Sequence, residues 1–363
     1  MGGRQQDVAN PKVLGHVLEE DLDRIVTRAS PALRRLGGKT VLVTGAAGFL
    51  LSYVVDTLAH ANDRLLDEPC LVVAADNMIV SDSRRLAHLE DRSDVVFIQA
   101  NVVEGVPYED RLDYIIHGAS IASPTWYRRY PLETIDVNVG GTRRLLELAR
   151  KHGARFQLLS SSEIYGDPPP ERVPTDEDYW GHVSPTGPRA PYDESKRLAE
   201  TLCTTFHRQY GTPVVILRPF NVYGPRLSLD DGRVIPDFLR DALAGDPVSL
   251  LSDGRPTRSF CYVSDFVTAL LLLLVEGAPG EAYNVGNDEE VSIRGVAELV
   301  AELAGSPGVR SDESSDPDYL ADNPSHRCPD LRKTKGTIQW APDVPLRAGL
   351  TRTLAHYREV AAE

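Results

Sequence analysis

Apolar residues in this chain alternate between short continuous runs and longer, helically spaced sets. The runs Thr40–Thr44, Leu71–Ala75, Val95–Gln99, Tyr114–Ile116 and Phe156–Leu159 have strand length and are rich in β-branched or aliphatic residues. A helical pattern follows the first run through Ala59, and Leu145, Leu146, Leu148 and Ala149 mark another helix between Asn138 and Lys151. Strands that are apolar throughout, alternating with helices, predict an α/β fold: a doubly wound parallel sheet covered on both faces. Residues 167–191 then hold seven prolines (168, 169, 170, 174, 185, 188 and 191), which predicts a loop. A helix over Tyr192–Tyr210 and a strand over Val214–Leu217 follow. Beyond Arg218 the pattern is mixed, with helices near 235–244, 265–275 and 292–304 and short strands near 249–251 and 259–262. This divides the chain into a sheet domain over residues 38–218 and a smaller mixed C-terminal lobe over 219–363, some segments of which return to the first domain. Residues 1–37 are polar and charged, with an amphipathic helix near Val17–Ala29 and a short one before Gly37. They read as a solvated or loosely docked N-terminal extension, with a subunit-contact arm as the alternative.

Composition narrows the function classes. With 39 basic and 53 acidic residues among 363, the formal charge is −14, so there is no basic surplus for nucleic acid or anionic membrane surfaces. The longest apolar run, Val267–Val275, is nine residues, against the roughly 20 needed to span a bilayer. The four cysteines (Cys70, Cys203, Cys261, Cys328) are scattered, without CxxC or finger-type histidine spacing. Neither a metal site nor a disulfide framework is expected, and reduced thiols in the cytoplasm are the simplest reading.

The first strand runs into Thr44-Gly-Ala-Ala-Gly-Phe-Leu-Leu51. Gly45 suits a tight turn at the strand end. Gly48 suits a helix start at which backbone N–H groups approach a pyrophosphate. The next strand ends at Asp76, 31 residues after Gly45, where a carboxylate accepts from ribose hydroxyls and repels a 2′-phosphate, favouring NAD over NADP. Strand, glycine turn, helix and acid together point to a Rossmann-type dinucleotide site. One departure is Leu51, which stands where a third glycine is expected, so the first helix is expected to sit further from the sheet.

Tyr192 and Lys196 stand i, i+4 at the start of the long helix, 147 residues after Gly45, which puts phenol and ammonium on one face. A lysine cation and an oxidised nicotinamide would lower the phenol toward neutrality, fitting it to take a proton from an alcohol as hydride leaves the carbon. Taken in order, Thr44-Gly-Ala-Ala-Gly48, Asn138-Val-Gly-Gly-Thr142, Ser161-Ser-Glu-Ile-Tyr-Gly166, Tyr192-x-x-x-Lys196 and Arg218-Pro-Phe-Asn-Val-Tyr-Gly-Pro-Arg226 resemble the extended short-chain dehydrogenases/reductases that act on nucleotide sugars. The resemblance implies a Rossmann domain holding NAD, a C-terminal substrate lobe, and a homodimer paired through helices. It implies cofactor contacts from Gly45, Gly48, Phe49, Leu50, Asp76, Asn77, Asn101, Val102, Tyr192 and Lys196. Asn101 stands where an aspartate often contacts adenine.

The stretch Ser160–Pro168 narrows the chemistry. Dehydratases of this family carry an Asp-Glu pair here, and Ser162 occupies the Asp position. Serine is too weak an acid to expel a hydroxyl. Ser-Glu followed by Ile-Tyr-Gly-Asp-Pro most resembles the UDP-glucuronate decarboxylases (UDP-xylose synthases). Tyr179–Tyr192, Asp231–Pro236 and His326–Asp330 resemble that subgroup's loop before the tyrosine, its uridine-contacting segment and its C-terminal arginine segment. The implied catalytic set is Tyr192, Lys196, Ser161, Ser162, Glu163 and Arg327, and the implied substrate contacts are Asn221, Arg233, Arg258 and Arg327. The implied reaction oxidises C4 of a nucleotide hexuronate, loses CO₂ from the resulting β-keto acid, and returns the hydride. A 4-epimerase on a UDP-uronate is the second reading and a 4,6-dehydratase the third. A non-catalytic NAD-binding protein is opposed by the retained Tyr192, Lys196 and Glu163.

Overall fold

The computed structural model describes residues 14–81, 83–312, 314 and 324–362. After an N-terminal helix α1 (His16–Arg28), strand β1 (Thr40–Thr44) leads into helix α2 (Phe49–Arg64), followed by β2 (Leu71–Asp76), β3 (Val95–Gln99) and β4 (Tyr114–His117). Helix α3 (Pro131–Asp136) passes through one π turn at Val137–Gly141 into α4 (Thr142–His152), and then β5 (Arg155–Leu159), helix α5 (Ala190–Tyr210) and β6 (Val214–Pro219) complete the run. The later elements that matter for the site are α6 (Val234–Leu243), β7 (Thr257–Ser259), α7 (Val263–Glu276), β8 (Ala282–Val285), β9 (Glu290–Ser292), β10 (His326–Arg327) and α8 (Leu346–Ala362).

Seven strands form one parallel sheet in the order β8-β6-β5-β4-β1-β2-β3. The chain winds outward from β1 through β2 to β3, then returns to β4 and winds the other way. The order therefore reverses between β1 and β4, where open α/β sheets form a ligand crevice. β8 adds to the sheet beside β6 from beyond the substrate segments, with Ala282 paired to Ile216. Its four residues are too short to stand out as a strand in the sequence, because their register comes from β6. β7, the centre of a small separate sheet, pairs antiparallel with β9 and parallel with β10, which sets Arg327 opposite Arg258.

The expectation of a solvated or loosely docked N-terminal extension is corrected for residues 14–36; residues 1–13 lie outside the described residues. Val17, Leu18, Leu22, Ile25 and Val26 of α1 are buried in the main core, as are Ala29, Ala32, Leu33 and Leu36 after it. The cause lies in α7, where every residue from Val263 to Val275 is buried. A helix apolar on all sides needs cover on all sides, and the sheet covers one side while residues 14–36 roof another. Asp21, fully buried, fastens this roof by accepting from Tyr262 at 2.8 Å and from Arg352 of α8 at 2.9 Å. Among the described residues, no helix is long and apolar enough to cross a membrane, and no cluster of His, Cys, Asp and Glu can hold a metal ion.

Candidate active site

The crevice is a cleft of about 730 Å³, and every residue singled out above for cofactor, catalysis or substrate lines it. At the cofactor end Gly45 has φ +75, and a Cβ there would sit 2.7 Å from the Ala119 nitrogen, so only glycine lets the two chains approach this closely. Gly48 precedes the first turn of α2, whose N–H groups take no side-chain cap and face the cleft at the dipole's positive end. Asp76 accepts from the Ala47 N–H at 3.0 Å, from Met78 N–H at 2.9 Å and from the Ser81 hydroxyl at 2.6 Å. The carboxylate thus shapes the turn while lining the cleft beside Asn77, Asn101 and Val102. A glycine cradle, an uncapped helix start and a buried acid fit NAD.

Leu51, which stands where a third glycine is expected, is accommodated by a glycine on the sheet side. Its side chain is 4 % exposed and occupies the space over Gly118, where a Cβ would lie 2.4 Å from the leucine Cδ2. The small residue that helix–sheet packing requires stands at the end of β4 instead of in the helix.

At the catalytic end, α5 places Tyr192 and Lys196 on its buried face. Lys196 Nζ donates to the Leu159 carbonyl at 2.8 Å and lies 5.8 Å from the centre of the Tyr192 ring. Burial pulls this ammonium down to about 7, with Glu200 the main opposing influence. Burial also pushes the Tyr192 phenol up to about 12, offset in part by its hydrogen bond with Ser161. The lowering expected from Lys196 does not appear in the protein alone, where both groups are taken out of water together. Asn138, in the π turn, donates to Ser195 Oγ at 2.9 Å and accepts from Ser120 Oγ at 2.7 Å; Ser195 Oγ in turn donates to the Tyr192 carbonyl at 3.0 Å. This fixes the first turn of α5 against the strand ends.

Glu163 follows Ser161 and Ser162 on a short 3₁₀ turn begun by Ser161, whose Oγ accepts from Glu163 N–H at 3.2 Å. Two guanidiniums grip its carboxylate: Arg327 through both terminal nitrogens, one at 2.7 Å, and Arg189 through Nη2, which shares Oε2 with Arg327. Burial alone would raise the Glu163 carboxyl, but Arg189 and Arg327 outweigh it and hold it far below the usual range. Arg258 donates to the Thr257 carbonyl at 2.7 Å, and burial, with Arg327 and Arg189 close by, pushes its guanidinium down to about 9. Arg233 grips Asp231 at 2.5 and 2.8 Å, and Asn221 donates to the Ser259 carbonyl at 3.0 Å. Arg189, Arg258 and Arg327 thus gather positive charge around Glu163 in the cleft, which suits an anionic ligand.

The structure adds residues that spacing alone did not single out. Tyr127 stacks on Tyr192 with ring centroids 5.2 Å apart, and Arg189 stands three residues before Tyr192 in a stretch otherwise read as loop. Asn138 lay inside a quoted motif without an assigned role. Only that motif membership and the nearness of Arg189 to Tyr192 were available as signals.

The sequence profile of the NAD dependent epimerase/dehydratase family matches residues 41–286. UDP-glucuronic acid decarboxylase 6 of Arabidopsis thaliana is 42% identical over 310 residues, which is 85% of this chain and 86% of that protein. UDP-glucuronic acid decarboxylase 1 of Xenopus tropicalis is 39% identical over 343 residues, 94% of this chain and 78% of that protein. Among solved structures, UDP-glucuronic acid 4-epimerase from Bacillus cereus, in complex with UDP-glucuronic acid and NAD, superposes with a TM-score of 0.75 at 25% identity, covering 88% of this chain and 99% of that one.

Proposed function

The chain belongs to the NAD dependent epimerase/dehydratase family, and from that premise we propose that it removes the C6 carboxylate of a nucleotide-linked hexuronate, turning UDP-glucuronate into UDP-xylose. The observation that carries this reading is Arg327. Strand pairing with β7 brings it from the far end of the chain to Glu163, beside Ser161, Tyr192 and Arg258. With its terminal nitrogens on Glu163, the guanidinium still has a buried Nε–H without a partner among the described residues, and that edge is the one left to meet a ligand carboxylate. Relatives at about 40% identity over most of the chain are UDP-glucuronic acid decarboxylases.

NAD would be held by Gly45, Gly48, Phe49, Leu50, Asp76, Asn77, Asn101 and Val102, and would supply the two-electron acceptor for the C4 hydride. Tyr192 takes the proton of the 4-hydroxyl, and Lys196 and the Ser161 hydroxyl stabilise the phenolate. With C4 a ketone, the C6 carboxylate is that of a β-keto acid, and the C5–C6 bond breaks to release CO₂. Ser161 and Tyr192 donate hydrogen bonds to the enolate oxygen that results. Arg327 holds the carboxylate until it leaves. Glu163, clamped as an anion, orients the water through which C5 takes its proton from solvent, so one proton is consumed per CO₂. Tyr192 finally returns its proton to the C4 oxygen. Ser162 offers no acid for expelling a hydroxyl, which sets the reading against a dehydratase. Asn221, Arg233 and Arg258 take the diphosphate and base, and the Asp231–Pro236 segment supports uridine.

A UDP-uronate 4-epimerase is the second reading, supported by the solved 4-epimerase above. Incubation with UDP-glucuronate and no added reductant separates the two: CO₂ and a UDP-pentose are expected, with Tyr192→Phe inactive. A six-carbon product inverted at C4 would establish epimerisation instead. The subunit contact of a homodimer belongs on the face where α3 and α5 lie side by side, since Leu132 is 71% and Leu198 47% exposed there. Four buried free cysteines support a reducing, cytoplasmic setting.

A further inference from the structure

The charge on Lys196 is the less secure half of the Tyr192–Lys196 pair, because burial leaves its ammonium near neutrality at about 7. Four residues further along α5, Glu200 is 9% exposed and its carboxylate is fixed on both oxygens. Oε1 accepts from Ser160 Oγ at 2.6 Å and from Arg218 Nε at 3.0 Å, and Oε2 accepts from Arg218 Nη2 at 2.7 Å. Arg218, on β6, is held in turn by donating to Tyr165 Oη at 2.7 Å and to the Glu177 carbonyl at 2.9 Å, and Tyr165 donates to Asn284 Oδ1 at 2.7 Å. Steps of four along the helix set Tyr192, Lys196 and Glu200 in a row on its buried face. The other titratable groups facing Lys196 add no negative charge. His117 of β4 is neutral, pushed down to about 3 by burial and by Lys196 itself, and the Cys203 thiol is raised well above its ordinary value. Arg218 is the cation that faces Glu200, donating to both of its oxygens.

We propose that Glu200 is a positioning residue of the reaction, its fixed carboxylate keeping the Lys196 amine charged beside Tyr192, so that the working set is Tyr192, Lys196 and Glu200 in series. The same carboxylate ties Ser160, next to Ser161 and Ser162, to the helix that carries the tyrosine. The inference rests on the decarboxylase reading only where turnover is the readout, and a direct readout exists. The chain has six lysines, so protein labelled with [¹³Cε]lysine gives few resonances, and that of Lys196 is assigned by its loss in Lys196→Arg.

Glu200→Gln keeps the shape and removes the charge. Its Lys196 titration midpoint is expected to fall by about one pH unit or more, as removal of a neighbouring buried charge requires. Ser160→Ala, which keeps the carboxylate and its guanidinium, is expected to leave the midpoint in place. In CO₂ release from UDP-glucuronate, the alkaline limb of kcat should move down with the midpoint in Glu200→Gln, and the activity lost at pH 8 should return at lower pH. A midpoint that does not move, or a rate lowered equally at every pH, overturns the proposal and leaves Glu200 a purely structural group. Should Glu200→Gln fail to fold with Arg218 stranded, Glu200→Gln/Arg218→Met removes both charges, and the same downward direction is required of it. A wild-type protein that releases no CO₂ defeats the decarboxylase reading, and the Lys196 midpoint still decides this one.

Discussion

Leu51 and Gly118 share one volume, and that sharing can be measured. Carbon atoms in contact rest at about 3.5–4.0 Å, whereas a Cβ on residue 118 would stand 2.4 Å from Leu51 Cδ2. Gly118→Ala therefore forces the buried leucine aside by about 1 Å or drives it off its rotamer, an overpacking cost of about 1–3 kcal/mol. Leu51→Ala empties the same space at a cost of about 2–5 kcal/mol. If the two effects were independent, the double variant would lose their sum, about 3–8 kcal/mol. Because the new Cβ fills the space that the leucine vacates, Leu51→Ala/Gly118→Ala is expected to lose no more than Leu51→Ala alone. The assay is urea unfolding of all four proteins, with NAD retained through gel filtration as a second readout, since both residues line the cofactor end of the cleft. Additivity within about 0.5 kcal/mol would mean that the residues do not compete for space, and the account of how α2 docks without a third glycine would fail.

Two further outcomes follow from the site. Arg327→Ala is expected to raise KM for UDP-glucuronate by about 30-fold or more, the scale of truncating one partner of a buried charge pair, while the Kd for UDP changes less than about threefold because the proposed nucleotide contacts, Asn221, Arg233 and Arg258, are retained; unaltered turnover of UDP-glucuronate would remove Arg327 from the site. His117 lies buried between Thr44 Oγ1 at 2.9 Å and Thr142 Oγ1 at 3.1 Å and is held down to about 3 against an ordinary 6.5. The unfolded chain thus binds a proton between pH 6.5 and 3 that the folded protein refuses, so stability falls as pH drops through that window by up to about 1.4 kcal/mol per pH unit. Urea midpoints of His117→Asn should lose that increment of acid sensitivity, and a slope equal to wild type would show that His117 is protonated in the fold.

What was legible in the sequence follows the range of the interactions involved. The glycine turn, the strand end at Asp76 and the i, i+4 pair of Tyr192 and Lys196 are local features, and local geometry reads directly from spacing. Arg327 has no such signature. Its meaning depends on β10 lying against β7, a contact between residues 69 positions apart that only the whole-chain resemblance supplied. Glu200 and Arg189 are further cases, since a charge on a helix face reads as solvated until an opposite charge is brought to it. The N-terminal helix shows the same limit from the packing side. The apolar spacing of Val17, Leu18, Leu22, Ile25 and Val26 predicts a buried face without saying against what. The missing premise was in plain view at Val267–Val275, a run too short for a bilayer and too apolar to face water on any side. A helix of that kind requires a roof, and the amphipathic segment at the start of the chain is the piece that fits over it. Cutting residues 1–37 should therefore expose the outer face of α7 and lower solubility and stability together. A truncated protein that stays monodisperse, with unchanged urea midpoint, would contradict this account of the core.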